Sequence, residues 1–112
     1  MSILSIQSER YLNKWTDAEK FRSIVFEWAR KIDVSPKEIQ LRSMKNKWAS
    51  LSGSGRLTFN TELLDMEINF CNYVIVHELL HMKIPNHGKL FKSLMLAFLP
   101  DWEKSSQPEV CK

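Results

Sequence analysis

One stretch of the chain, residues 74–91, constrains what the rest can fold into. It reads VIVHELLHMKIPNHGKLF and contains His77, Glu78 and His81 in the order H-E-x-x-H, with His87 six positions later. Residues four apart share one face of a helix, so His77 and His81 can point both imidazoles at one ion. Imidazole nitrogens are good ligands for Zn²⁺. The stretch therefore predicts a helix that holds one zinc ion.

The residues after the motif offer a third ligand. A catalytic zinc takes three protein ligands and keeps one open position, and His87 can be the third only if the helix ends soon after His81. Pro85 disfavours helical geometry at Ile84 and has no backbone donor. Asn86 tolerates the left-handed conformation that turns a chain back. The alternative is a helix with histidines on a solvated face, but motif, helix breaker and third histidine coincide here.

Two further side chains of this stretch are candidates for chemistry. Glu78 lies one step round the helix from His77, where it can lean over the metal without binding it and take a proton from a metal-activated water. Tyr73 precedes the motif by one turn and could donate a hydrogen bond to a histidine, to substrate or to an oxyanion. Packing in the core is the alternative for Tyr73.

Length, composition and charge indicate one globular domain. The 112 residues support a single domain, and 44% hydrophobic with 26% charged residues is an ordinary globular composition. We find no apolar run that could span a membrane and no signal peptide, and two cysteines without a signal predict a reducing, cytoplasmic compartment. The net charge of +3, from scattered basic residues, argues against nucleic-acid binding. No pattern indicates or excludes an oligomer.

The first sixty residues are predicted to form a helix and then a sheet. Thr16 and Glu19 match a capping box, and apolar residues at helical spacing predict a first helix over residues 17–32. That stripe consists of Phe21, Ile24, Val25, Trp28 and Ile32. Alternation over residues 39–44 predicts a first strand, and residues 48–51 and 56–59, joined by a tight connection at 52–55, are predicted as two more, which gives a small antiparallel sheet of about three strands. One edge is expected beside the metal, where an extended peptide could add as a strand; alternatively, the sheet only supports the metal helix.

The metal helix is predicted to be central, because it is apolar nearly all round outside the motif. Asn60 or Asp65 is the expected cap before it. A last helix should begin near His87 or Gly88, with Asn86 as its cap, and its buried face should comprise Leu90, Phe91, Leu94, Met95 and Phe98. Segments 1–15 and 103–112 are expected to be loosely ordered.

The C-terminal tail carries a second cysteine, Cys111, in the sequence PEVCK. A thiolate is a strong zinc ligand, and the metal itself favours its deprotonation. The ten residues from Trp102 to Cys111 can span at most about 33–36 Å, enough to return to the zinc of the same or a neighbouring molecule. One hypothesis is a latch that keeps the protein latent. The alternatives are a carboxylate of Glu109 or of the Lys112 terminus, the N-terminal segment in the cleft, or a thiol without function.

Three groups of residues resemble one known family. RSMKNKWAS with SGSGRLTFN, then YVIVHELLHMKIPNHGKLF, then LPDW occur over residues 42–102 in the order found in the YgjP-like metallopeptidase domain. That family is a zincin group distantly related to the SprT-like proteases. The resemblance implies a compact α+β zincin-like fold, in a single minimal metallopeptidase domain over residues 1–112. It implies zinc ligands and a catalytic acid/base at four positions: His77, His81 and His87 as ligands, and Glu78 as acid/base.

The chain departs from the family pattern outside the metal motif. Family members usually have Gly and Cys where this chain has Ala49 and Leu51, and a Pro-rich turn where it has LLDMEIN. Many carry an extra N-terminal portion, whose part in substrate recognition a partner could supply. The histidine spacing also equals that of metzincins, but no glycine follows His81 at their position and no Met-turn segment follows.

These features together predict a zinc-dependent metallopeptidase that hydrolyses bonds in peptide or protein substrates and can be held latent by a terminal segment. Two other functions remain as alternatives. A non-catalytic zinc-binding adaptor would fill the fourth metal position with a protein ligand. A SprT-like protease acting on DNA-bound proteins would bind DNA in a salt-dependent way.

Overall fold

Four helices and a three-stranded sheet follow one another along residues 18–105, the part of the chain that this computed structural model describes. The elements are α1 Ala18–Ile32, β1 Glu38–Arg42, β2 Ala49–Leu51, β3 Arg56–Asn60, a 3₁₀ helix Thr61–Asp65, α2 Ile68–His81, α3 Lys89–Phe98 and α4 Trp102–Ser105. The predictions for Thr16, for Cys111 and for segment 1–15 concern residues outside this part.

Helix α1 follows its apolar stripe. Phe21 and Val25, on that stripe, are fully buried. The helix ends just after Ile32, where two backbone N–H groups bond to the same carbonyl. The N–H groups of Asp33 and Val34 both donate to the Ala29 carbonyl, at 2.8 and 3.0 Å, and Asp33 takes a φ of 69°. This left-handed residue is the usual way to end a helix. The predicted helix and its end are therefore confirmed.

The sheet has the strand order β1-β3-β2. Strands β2 and β3 form the predicted antiparallel hairpin. In its turn, Gly55 takes a φ of 97°, and its N–H donates to the Ser52 carbonyl at 3.1 Å. Strand β1 pairs with β3 in parallel, with Ile39 opposite Leu57. The α+β architecture is confirmed, but the prediction of a wholly antiparallel sheet is wrong for this pair. Alternation specifies which face of a strand is buried and does not specify its neighbour.

Asn60 secures the crossing that this strand order requires. The chain between β1 and β2 passes over the end of β3, where Asn60 is only 4% exposed. Its side-chain N–H₂ donates to the carbonyls of Met44 and Lys47, both at 3.0 Å, and its Oδ1 accepts from the Glu62 N–H at 3.0 Å. Asn60 thus caps the 3₁₀ helix that leads into α2. The residue at the start of α2 itself is Glu67, without a side-chain cap, so Asp65 is not its cap.

Helix α2 runs through the middle of the fold and packs against α1, α3, α4 and β2. Its buried residues point in several directions: Phe70, Cys71, Val74, Ile75, Val76, Leu79 and Leu80. Burying one large aliphatic side chain contributes about 1.5–3 kcal/mol. The H-E-x-x-H motif therefore lies on the best-packed helix of the fold, as its apolar surface predicts.

Helix α3 covers one side of α2, but with a narrower buried face than predicted. Phe91 and Met95 are buried, whereas Leu90 is 61% exposed, so its assignment to the core is wrong. At about 100° per residue, Leu90 lies some 90° from the centre of the buried stripe, at its margin. Residues 103–105 belong to the short helix α4, so helix continues where loosely ordered chain was expected. Among the described residues, no helix has the length and apolarity that crossing a membrane requires.

Candidate metal centre

Helix α2 and the loop after it bring three imidazoles to one point. His77 and His81 lie one turn apart on α2, and His87 lies in the loop before α3. Their ligand nitrogens all lie within 4.8 Å of one another. We call His77, His81 and His87 the histidine cluster. The three residues that the sequence predicts as ligands are together and could hold a metal ion.

Pro85 sets the place where the chain leaves α2. The helix ends at His81, and the last N–H to bond back to it belongs to Ile84, which donates to the Leu80 carbonyl at 2.8 Å. Pro85 has no N–H with which to continue the ladder. The chain therefore turns away within one helical turn of His81, which allows His87 to return to the same point.

Asn86 shapes this return differently from the prediction. Asp33 is the one residue other than glycine with a positive φ in the described part of the chain, so Asn86 is not left-handed. Its Oδ1 instead accepts from the N–H of Gly88 at 3.1 Å, a turn that asparagine side chains commonly make. Gly88, without a side-chain bond, is the residue that caps α3. A Cβ on Gly88 would approach the Asn86 Oδ1 to 3.2 Å, so glycine suits this turn.

The imidazoles are oriented so that their Nε2 atoms converge. Nδ1 of His81 lies 3.2 Å from the Ile84 carbonyl, which can only accept, so Nδ1 carries the proton and Nε2 keeps a free lone pair. The Nε2 atoms of His77 and His87 lie 3.2 Å apart. Two nitrogens each 2.0–2.1 Å from one tetrahedral zinc would be separated by about 3.3–3.4 Å. The chemistry of the three donors, and the spacing of the His77 and His87 nitrogens, therefore fit a zinc ion.

The electrostatics of the histidine cluster also suit a metal. Loss of solvation lowers the pKa of His87, and the neighbouring imidazoles of His81 and His77 lower it further. A lowered pKa keeps the His87 ring neutral near pH 7, with a lone pair available for a cation. Glu78 lies beside the cluster, with one carboxylate oxygen 3.5 Å from Nδ1 of His77.

Tyr73 lies next to the histidine cluster, one turn before His77 on α2. Their ring centroids are 5.6 Å apart. Burial raises the pKa of Tyr73, and the Glu78 carboxylate raises it further, which places the phenol within the field of that carboxylate. The phenol therefore keeps its proton and can act as a hydrogen-bond donor.

Two aromatic residues lie at the site although the sequence did not predict them there. The ring of Trp102, in α4, stacks on Tyr73 with centroids 6.3 Å apart and planes 6° from parallel. The ring of Phe91 contacts all three imidazoles. Phe91 was expected only in the core, and its place four residues after His87 was the available signal. Trp102 belongs to the LPDW segment, whose partner could not be inferred from periodicity.

Strand β2 is the edge of the sheet that packs against helix α2. It lies at one end of the strand order. Just before β2, the ring of Trp48 packs edge-on against Phe70 of α2, with centroids 5.1 Å apart. A sheet edge therefore packs on the helix that carries the motif, and the expected place of this edge beside the metal stays a prediction.

Comparisons with known proteins agree with this geometry. A family model described as YgjP-like, metallopeptidase domain, matches residues 6–108. The chain resembles the crystal structure of the metallopeptidase zymogen of Methanocaldococcus jannaschii jannalysin, with a TM-score of 0.70 and 26% identity over 77% of this chain and 89% of that one. It also resembles the metallopeptidase zymogen of Pyrococcus abyssi abylysin, with a TM-score of 0.67 over 76% and 87% of the two chains; at 19% identity this likeness concerns the fold alone. No curated protein sequence matches the chain.

Family and geometry lead to the same chemistry. A metallopeptidase requires a divalent metal, which the three converging imidazoles can hold, and it acts on peptide or protein substrates. The family match spans nearly the whole chain, and a solved metallopeptidase shares its fold at 26% identity. The chain therefore belongs to the YgjP-like metallopeptidase domain family and is a metal-dependent hydrolase of peptide bonds.

Proposed function

We propose that the protein is a zinc-dependent peptidase whose histidine cluster holds one Zn²⁺. The observation that carries the proposal is the approach of three imidazole nitrogens to within 4.8 Å of one another at the end of a buried helix. An all-imidazole set is a common zinc site, and hard cations such as Mg²⁺ and Ca²⁺ prefer oxygen ligands. The described residues contribute three ligands to this group, the number that a catalytic zinc site takes from the protein.

The residues around the cluster have separate tasks in this proposal. A bound zinc would supply Lewis acidity, which acidifies water and polarises the scissile carbonyl. Glu78 accepts the proton of the attacking water and passes it to the leaving amine, because its carboxylate lies beside His77 without belonging to the ligand set. Tyr73 keeps its proton and donates a hydrogen bond to the developing oxyanion.

We also propose that the C-terminal segment keeps the enzyme latent, with the Cys111 thiolate in the fourth metal position. Trp102 stacks on Tyr73, and Tyr73 lies beside His77. The C-terminal segment therefore starts close to the histidine cluster. Residues 106–112 can extend at most about 23–25 Å beyond α4. Jannalysin and abylysin, two proteins whose solved structures the chain resembles, were crystallised as zymogens. A reducing, cytoplasmic compartment would keep the thiol available for the metal.

The proposed activity is tested by metal analysis combined with a peptide-library cleavage assay. The assay is run on the full chain and on a variant that ends at residue 105, since latency would hide activity in the full chain. We expect one zinc per chain, and cleavage that a chelator removes and added zinc restores. A protein that takes up no zinc, or that stays inactive when loaded and truncated, would refute the proposal. The second result would favour the non-catalytic adaptor.

A further inference from the structure

The ring of Phe91 is the common neighbour of all three imidazoles. Its centroid lies 5.3 Å from that of His77, 4.9 Å from that of His81 and 4.8 Å from that of His87. The contacts with His77 and His87 are edge-on, with planes at 76° and 82°, whereas His81 stacks at 29°. Phe91 is 3% exposed and lies in the first turn of α3. One rigid ring thus adjoins the whole histidine cluster.

Hydrogen bonds restrain the imidazoles unevenly. The Ile84 carbonyl holds His81, and the Glu78 carboxylate lies 3.5 Å from Nδ1 of His77. The His87 ring is exposed. Among the described residues, its hydrogen-bond contact is with Nε2 of His77, which would bind the same metal ion. Nothing in that contact fixes the plane of the His87 ring before a metal arrives. Packing against a flat neighbour can do so.

We propose that Phe91 is a positioning residue, which holds the planes of the three imidazoles so that their Nε2 atoms already converge before metal binds. The inference rests on the proposed metal site. A metal bond requires the lone pair, which lies in the imidazole plane, to point at the ion. In the wild type, packing against Phe91 has already restricted the rotation of the imidazoles. In a variant without this ring, that rotational freedom is lost only when the metal binds, so the affinity for the metal falls. Groups that orient ligands from outside the coordination sphere typically contribute 10–100-fold to metal affinity.

The competing explanation is that Phe91 only fills the core. Met95 lies one turn further along the same buried face of α3 and is fully buried, so α3 has a second anchor in the core. Phe21 offers the matched control. It is fully buried, packs edge-on against Phe59 with centroids 5.2 Å apart, and has no ring contact with the histidine cluster. The same substitution therefore removes a buried ring that contacts the imidazoles at position 91, and a buried ring that does not contact them at position 21.

The test compares Phe91→Leu, Phe91→Met and Phe21→Leu with the full-length wild type. Zn²⁺ affinity is measured by competition with a chromophoric chelator, ligand geometry by the visible absorption of the Co²⁺-loaded protein, and stability by thermal unfolding without metal. We expect both Phe91 variants to bind zinc about 10–100-fold more weakly and to change the Co²⁺ spectrum. Phe21→Leu should keep the wild-type affinity and spectrum, even though its unfolding temperature falls.

The possible outcomes separate this inference from the proposed function. A wild type that binds zinc while the Phe91 variants bind it equally well overturns the positioning role alone. Equal loss of affinity in Phe21→Leu also overturns it, because general loosening would then explain the effect. Failure of both Phe91 variants to fold, with Phe21→Leu folded, assigns Phe91 a structural role instead. A wild type that binds no zinc overturns the proposed function and this inference together.

Discussion

At the scale of single residues, Glu78 and His81 lie on one helix but have different tasks in the proposed site. Glu78→Gln removes a carboxylate and no ligand nitrogen, so the variant should keep its zinc and lose about 10²–10⁴-fold in hydrolysis. His81→Ala removes an imidazole and should lose both zinc and activity. Zinc content by atomic spectroscopy, with peptide cleavage on the same samples, separates the two effects. Cleavage at the wild-type rate by zinc-loaded Glu78→Gln would exclude Glu78 as the base.

Ionisation of Tyr73 should make the stability of the protein depend on pH in the alkaline range. Burial, with the Glu78 carboxylate, raises the pKa of Tyr73 above its ordinary 10.0, so the fold favours the protonated phenol. Stability from this group is therefore complete below pH 10 and is lost as pH rises through the raised pKa. In an ultraviolet titration, the ionisation step that disappears in Tyr73→Phe should have its midpoint above 10.0. A step at or below that value would show that the phenol is not buried against the carboxylate.

The meeting of three histidines at one point could be predicted from the sequence, because it depends on local chemistry alone. A spacing of four on a helix, a proline and a third histidine suffice to predict the histidine cluster. The conformation of Asn86 and the contacts of Phe91 were not readable. Asn86 has two ways to make a turn, and the choice depends on the Gly88 N–H that it meets. The contacts of Phe91 depend on how α3 crosses α2, which no periodicity encodes.

At the scale of elements, Asn60 connects β3, the 3₁₀ helix and the loop between β1 and β2. Asn60→Ala would remove the bonds to the Met44 and Lys47 carbonyls, and a typical hydrogen bond within a protein contributes about 0.5–1.5 kcal/mol. We expect a loss of this size in the free energy of unfolding, measured by urea denaturation without metal. Asn46→Ala is the matched control, because Asn46 lies exposed in the same loop. Equal stability of the two variants would contradict the role of Asn60.

The elements themselves could be predicted closely, whereas their neighbours could not. The buried stripe of α1 and the existence of strand β1 each follow from local periodicity, and both are present. Periodicity does not record that β1 lies beside β3, because that pairing depends on a loop crossing that Asn60 holds by side-chain bonds. Leu90 fits the period of α3 and is nevertheless exposed, since the partner surface is too narrow to cover it.

At the scale of the whole molecule, the C-terminal segment should decide whether the proposed site is open. Removing residues 106–112, or substituting Cys111→Ser, should raise peptidase activity about tenfold if the latch is closed in nine of ten molecules. Glu109→Gln is the control, and it should leave activity unchanged. Initial rates on a library-derived peptide measure all three at equal zinc loading. Activation by Glu109→Gln instead would identify a carboxylate as the blocking group, and unchanged activity in all three would exclude the latch.

The strand order also has a consequence for the order in which the molecule assembles. Strands β2 and β3 are joined by a tight turn and can close as a hairpin within about 1–10 μs. Strand β1 meets β3 across 18 residues, as between Glu38 and Arg56, so its loop-closure entropy is larger and its docking comes later. We expect the bonds from Asn60 to the crossing loop to become stable after that docking, because the loop is held at both ends only when β1 is paired. In a chevron analysis, Asn60→Ala should therefore accelerate unfolding and leave the refolding rate unchanged; a slower refolding rate would place the crossing in the folding nucleus.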